Sequence, residues 1–208
     1  MKPAGILLAG GLATRMGGGD KSLRLLGGRP ILAHVVARIE PQVAALALNA
    51  NGDPARLANW GLPLVPDAIP DHPGPLAGIH AGMIWARAHH PDVEDIISIP
   101  TDTPFLPADL VDRLLAARGD ADIAVATSGG QPHPVVALWP VCLADELHRF
   151  VTQDGMRRVT DFARRFKVAY ADFPVGDIDP FLNINRPEDL ARAELLTGAQ
   201  TAKEGTAG

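Results

Sequence analysis

Between Leu8 and Ser22 the chain reads LAGGLATRMGGGDKS, and five of these fifteen residues are glycine: Gly10, Gly11, Gly17, Gly18 and Gly19. Glycine lets successive backbone N–H groups turn toward an anion with no Cβ in the way. Arg15 and Lys21 add formal positive charge to the same loop. Glycines and cations together suit a polyphosphate. The spacing departs from both common glycine loops. A P-loop needs glycine immediately before its Lys-Ser pair, where this chain has Asp20. The dinucleotide fingerprint needs glycine two residues after Gly10, where this chain has Leu12. A glycine cluster on its own is also compatible with a plain connecting loop.

Asp102 is the second chemical candidate. It follows a strand-like run over 96–99, inside Pro100-Thr101-Asp102-Thr103-Pro104-Phe105. An acidic residue just past the carboxyl end of a central strand lies where open α/β sheets bind ligands, which makes Asp102 a candidate metal ligand. The competing role is a cap for the next helix, but Pro107-Ala108-Asp109-Leu110 supplies that start separately. Asn49 ends a second apolar run over 43–48, and Asp67 lies just past a third over 62–65. Gly78 and Gly82, four apart, make a smooth stripe on one helix face where either another element packs or a ligand comes close.

These residues need elements to hold them. Ile6-Leu7-Leu8 is too short and continuous for an amphipathic helix but suits a strand buried on both faces. After Pro30, Leu32, Val35, Val36 and Ile39 recur at helical spacing until Pro41. The strand over 43–48, a short helix over 54–60 and the strand over 62–65 continue the rhythm of a parallel α/β sheet. A helix over 75–89 and the strand over 96–99 follow. Residues 123–127 and 134–138, joined by a Ser128-Gly129-Gly130-Gln131 turn, predict a hairpin and therefore a mixed sheet. His133, at the start of the returning strand, either touches an anionic ligand or is merely solvated. A helix over 143–151 comes next. Arg157, Arg158, Arg164 and Arg165 fall on a predicted helix over 156–166, as a solvated face or as phosphate contacts. A strand over 168–173 precedes Asn183 and Asn185, whose alternation puts both on one side of an extended segment. A helix over 187–196 closes a single domain, residues 1–196. The tail 197–208 has no apolar period and is expected to be disordered.

A chain of 208 residues can bury roughly 70% of its unfolded surface without a staple. Formal net charge is −5 with dispersed basic residues, so a nucleic-acid partner has no electrostatic footprint. The one cysteine, Cys142, excludes an internal disulfide and reads as a small buried hydrophobe. No membrane-length apolar stretch is present, and a chain with no signal peptide and a cytoplasmic location are expected.

LAGG, RMGGGDK, GRP, NAN, GPLAG, TDTPF, HPV and NINRPEDL occur in that order over about residues 5 to 196. As a set they resemble the molybdenum cofactor guanylyltransferases, a branch of the Rossmann-like, three-layer α/β nucleotidyltransferase fold with a mostly parallel, mixed central sheet. The resemblance implies transfer of GMP from Mg-GTP to the terminal phosphate of Mo-molybdopterin, giving molybdopterin guanine dinucleotide and pyrophosphate. Carried over by motif, Leu8, Ala9, Gly10, Gly11, Lys21, Asn49, Asp67, Gly78 and Asp102 would bind GTP. Asp102 would also hold Mg²⁺, with Mn²⁺ as an alternative ion. Arg15, Lys21 and Asp102 are the catalytic candidates. The pterin side would involve His133, Arg157, Arg158, Asn183 and Asn185. Molybdenum-insertion proteins and molybdoenzyme chaperones would be the protein partners, with no nucleic acid and no membrane.

The chemistry agrees with the residues. An attacking phosphate monoester is largely dianionic at neutral pH, its second pKa being about 6, so it needs no general base. The sequence accordingly offers charge neutralisers rather than a nucleophile–base pair. Two other readings compete. One is a related nucleotidyltransferase, such as a molybdopterin cytidylyltransferase or a sugar-1-phosphate transferase. Cytidylyl relatives tend to carry LAAG where this chain has Leu8-Ala9-Gly10-Gly11. The other is a non-catalytic nucleotide-binding module that delivers cofactor, which would not need both Lys21 and Asp102.

Overall fold

The computed structural model describes residues 1–9, 21–70, 74–155 and 157–204. Its strands are β1 (Ala4–Leu8), β2 (Leu25–Leu26), β3 (Arg29–Pro30), β4 (Ala45–Asn49), β5 (Leu64–Val65), β6 (Asp95–Pro100), β7 (Ile123–Ser128), β8 (Gln131–Pro140) and β9 (Val168–Phe173). Its α-helices are α1 (Ile31–Ile39), α2 (Pro75–His89), α3 (Leu110–Arg118), α4 (Ala144–Thr152), α5 (Val159–Ala163) and α6 (Pro187–Glu204). A 3-10 helix fills Pro54–Trp60.

Seven strands form the main sheet in the order β5-β4-β1-β6-β8-β7-β9. All neighbours run parallel except β8, which lies antiparallel to both β6 and β7. The expected mixed sheet is therefore present. Its central strands are nearly continuous in apolar residues because helices cover both faces. On one face, Ile79 and Met83 of α2 pack with Ile6, Ile96, Phe150 and Phe162. On the other, Leu32, Val35 and Ile39 of α1 pack with Leu7, Leu48 and Ile97, and with Leu110 and Leu114 of α3. Three layers result. A smaller cluster of Leu26, Ile31, Ile184 and Ala193 seats α6 beside the small β2–β3 ribbon.

The glycine stripe of α2 packs closely against the sheet. A Cβ on Gly82 would stand 2.8 Å from Ile6 Cβ, and one on Gly78 would stand 2.3 Å from Asn49 Oδ1. Both glycines let α2 lie close over β1 and the end of β4. The polar Ser98 inside β6 is fully satisfied: its hydroxyl donates to the Val135 carbonyl at 2.6 Å and accepts from Trp139 Nε1 at 2.9 Å. These bonds stitch β6 to β8 across the antiparallel seam.

Several elements differ from the sequence reading. The helix expected over 156–166 spans only Val159–Ala163, and Arg157 and Arg158 precede it. Arg164 ends it and lies 3.8 Å from Asp161. Arg165 pairs with Asp154 at 2.5 Å and lies over the Phe150 ring at 4.5 Å, so it clamps α5 to the end of α4. The closing helix continues beyond Leu196 to Glu204, through Ala, Gln and Lys residues of good helical propensity. Cys142 is exposed rather than buried, because Val141 takes the inward position of its turn. No helix among the described residues is long and apolar enough to cross a membrane.

Candidate active site

The carboxyl ends of β4, β1 and β6 lie side by side, and hydrogen bonds tie them where the glycine loop begins. The Ala9 N–H donates to the Asn49 carbonyl at 2.9 Å on one side of β1. On the other side the Thr101 hydroxyl donates to the Leu8 carbonyl at 3.3 Å. Leu8 and Ala9 are thus anchored between the strand that ends in Asn49 and the strand that leads to Asp102. Gly10, Gly11 and Arg15 lie outside the described residues, as does the side chain of Lys21, whose backbone opens a short 3-10 turn over Lys21–Leu23.

Asp67 stands at the open side of this edge. Its Oδ1 accepts from Asn49 Nδ2 at 2.8 Å and its Oδ2 from Asn51 Nδ2 at 2.7 Å. Asn51 Oδ1 in turn accepts the Asp67 N–H at 2.9 Å. Asn49, only 4% exposed, also donates to the Val65 carbonyl at 3.0 Å. Two neutral amides therefore hold the carboxylate in place and leave each oxygen a lone pair for a further donor. Gly78 lies beneath, where its lack of a Cβ gives the Asn49 side chain room. Asn51 was not singled out in the sequence, although its place two residues after Asn49 at a strand end is the signal that could have found it.

On the other side of β1, Asp102 is half-buried past the end of β6. Its carbonyl accepts the Ile184 N–H at 2.9 Å. Next to it, the fully buried Thr103 donates its hydroxyl to Asn183 Oδ1 at 2.8 Å. The segment carrying the paired asparagines is thereby laced to the Asp102 loop. The Asn183 side chain bonds that loop directly. The backbone N–H of Asn185 donates to Asp189 Oδ2 at 3.0 Å, in the entry to α6.

His133 is brought to the same edge because β8 runs antiparallel to β6, so its first residues lie beyond the carboxyl end of β6. Its Nε2 is 2.7 Å from Ser128 Oγ, and its ring centroid is 4.7 Å from that of Phe181. Burial lowers its pKa below the ordinary histidine value, with Asp179 opposing. Arg157 and Arg158 are exposed ahead of α5 rather than on a helix. Thr103, Ser128, Asp179 and Phe181 all bear on this half of the edge. Thr103 lies inside the TDTPF motif, whereas Ser128, Asp179 and Phe181 have no motif signal, because a lone polar or aromatic residue carries no spacing information.

No group of three or more His, Cys, Asp or Glu residues forms a metal cage among the described residues. A lone carboxylate such as Asp102 fits a magnesium-like ion, which takes one or two protein carboxylates and completes its shell with substrate phosphates and water.

A layered sheet with a glycine-rich connection leaving its first strand, and an acidic residue past the strand end on either side of it, defines a nucleotide-handling α/β fold. The description "MobA-like NTP transferase domain" matches residues 5–168. A molybdenum cofactor guanylyltransferase of Bradyrhizobium sp. (strain ORS 278) is 53% identical over 198 residues, covering 94% of this chain and 93% of the relative. Molybdopterin-guanine dinucleotide biosynthesis protein A from Archaeoglobus fulgidus shares the fold with a TM-score of 0.72 at 24% identity, covering 94% of this chain and 99% of that one. A Mycobacterium tuberculosis H37Rv protein, crystallised as a complex with manganese, shares it with a TM-score of 0.68 at 17% identity, covering 93% and 98%. The chain belongs to the MobA-like nucleotidyltransferases and, among them, to the molybdenum cofactor guanylyltransferase family.

Proposed function

We propose that this chain transfers GMP from GTP to the terminal phosphate of Mo-molybdopterin, releasing pyrophosphate, with Asn49 and Asp67 on the nucleotide and Asp102 at the reacting phosphates. GMP transfer to molybdopterin is the reaction of its family. The observation that carries the residue assignment is the anchoring of Leu8 and Ala9 between Asn49 and Thr101. The root of the glycine loop lies between the strand ends that lead to Asp67 and to Asp102, which supports this assignment.

The acceptor arrives as a phosphate dianion and is already a nucleophile, so the protein's task is positioning and charge neutralisation. Leu8, Ala9, Gly10 and Gly11 offer backbone at the triphosphate, and Arg15 and Lys21 take up charge that develops on the departing pyrophosphate. Asp67 accepts from N–H donors of the base, a role its two amide clamps leave open. Asp102 holds a divalent cation, expected to be Mg²⁺ with Mn²⁺ as an alternative. When bound, that ion supplies Lewis-acid neutralisation of phosphate charge. Asn183, Asn185, His133, Arg157 and Arg158 serve the pterin-bearing substrate. The reading places the chain in the cytoplasm and passes its product to molybdenum-insertion proteins and molybdoenzyme chaperones.

The test is pyrophosphate release. Release only when GTP and Mo-molybdopterin are both present supports the transfer, whereas release with GTP alone, or none with both, overturns it.

A further inference from the structure

Behind His133 the fold builds a short chain of hydrogen bonds that the transfer reaction does not by itself require. Ser128, the last residue of β7, is 1% exposed, and its hydroxyl donates to Asp179 Oδ1 at 2.8 Å. The same hydroxyl oxygen lies 2.7 Å from His133 Nε2. Asp179 Oδ1 also accepts the Phe181 N–H at 2.9 Å, and the Phe181 ring leans on His133 and on Phe173. Two residues on, Asn183 meets Thr103 beside Asp102.

The proton count is constrained. A serine hydroxyl has one hydrogen, and a carboxylate oxygen can only accept. With the Ser128 hydrogen committed to Asp179, Nε2 of His133 must be the donor to Ser128 Oγ. Burial keeps the ring neutral near pH 7. A neutral imidazole that donates through Nε2 carries a bare lone pair on Nδ1. Nδ1 makes no hydrogen bond among the described residues, and the ring is half-buried.

We propose that Asp179, acting through Ser128, fixes His133 as the Nε2–H tautomer so that Nδ1 presents an acceptor to an N–H donor of the heterocyclic acceptor substrate. Asp179 and Ser128 are positioning residues, and His133 is the contact. The same carboxylate ties the tautomer to the loop that carries Asn183, so the two halves of the acceptor site are set together. Specificity follows from the lone pair: a ring presenting N–H is accepted, and one presenting a lone pair there is refused. The substrate half of this inference rests on the guanylyl-transfer reading, whereas the tautomer is a property of the free protein.

The experiment is nitrogen-15 NMR of the His133 imidazole in the free wild-type protein, joined to steady-state kinetics of Ser128→Ala and Asp179→Asn. The wild type should show a single neutral tautomer with the proton on Nε2. Asp179→Asn can donate to Ser128, freeing the hydroxyl to donate to His133, and should move the proton to Nδ1. Ser128→Ala, which leaves the Asp179–Phe181 contact intact, should give a tautomer mixture. Asp179→Asn should raise KM for Mo-molybdopterin about ten-fold, the loss of one neutral hydrogen bond, and Ser128→Ala by less, in proportion to the fraction of rings that still carry the proton on Nε2, with KM for GTP unchanged in both. A wild-type ring protonated on Nδ1, or a mixture, overturns the tautomer lock whether or not either variant folds. An altered tautomer with unchanged KM for the acceptor overturns the recognition role. Failure of the wild type to use Mo-molybdopterin would reject the guanylyl-transfer reading and leave the NMR result to decide the lock.

Discussion

Asn49 and Asp67 are joined side chain to side chain, an amide donating to a carboxylate oxygen at 2.8 Å across the ends of two neighbouring strands. With Asn51 on the other oxygen, the pair fixes a carboxylate in direction while leaving it able to accept. Guanine offers adjacent N1–H and 2-amino donors to such a group and cytosine does not. Asp67→Ala is therefore expected to lower kcat/KM for GTP by about ten-fold or more, with a smaller effect on CTP. Parallel kinetics with the two nucleotides check this, and an equal loss for both would remove Asp67 from base recognition.

Asp102 contributes its backbone carbonyl to Ile184, a contact that Asp102→Asn retains. The substitution removes the anionic oxygen that a hard cation prefers. Turnover should fall by about 10² or more with the fold kept. Activity within about threefold of wild type, under ~0.7 kcal/mol of barrier, would remove the metal role.

Gly78 and Gly82 separate packing from binding. Alanine at either position forces a Cβ into its neighbour, at 2.3 Å from Asn49 Oδ1 for Gly78 and 2.8 Å from Ile6 for Gly82. Each should cost about 1–3 kcal/mol of stability by overpacking. Only Gly78→Ala displaces Asn49, so only it should raise KM for GTP. Denaturant melts and GTP kinetics of the two variants make the comparison.

His80 carries a pH dependence. It is 4% exposed, its Nδ1 has no hydrogen-bond partner among the described residues, and its ring lies 5.5 Å from that of His148. Burial, then His148 and Arg87, lower its pKa to about 4, against the opposing pull of Asp145 and Asp67. Above the unfolded value of 6.5 neither state binds the proton. Between 6.5 and about 4 the unfolded chain is protonated and the folded chain is not, so stability falls as pH falls through that window. Urea melts should show that wild type loses ~2 kcal/mol more stability from pH 7 to pH 5 than His80→Leu does.

The residues that the sequence made legible share one property: they stand at the carboxyl ends of apolar runs. Asn49 ends β4 and Asp102 follows β6, strands buried almost throughout, whereas Asp67 follows the partly buried edge strand β5; in each case an apolar run marks the strand, and the open α/β rule locates what comes next. Helix α2 was bounded correctly over Pro75–His89 because Pro75 and the apolar spacing agree. What was hidden depends on partners distant in sequence. Insertion of β8 between β6 and β7 is set by pairs such as Ile97 with Leu138, which no local pattern encodes. Arg165 belongs to Asp154 and Phe150, and its charge alone could not tell that from a phosphate contact. The β2–β3 ribbon was readable and missed: Gly27 and Gly28, both at positive φ, are a two-residue hairpin turn between Leu26 and Arg29.

One incubation reads base choice and acceptor choice together. The protein is mixed with GTP, CTP, ATP, UTP, Mg²⁺ and Mo-molybdopterin, and the dinucleotide products are weighed by mass spectrometry. Molybdopterin guanine dinucleotide is expected in at least about 10²-fold excess over the cytosine product. Equal guanine and cytosine dinucleotides, or no dinucleotide at all, would contradict the guanylyl-transfer reading.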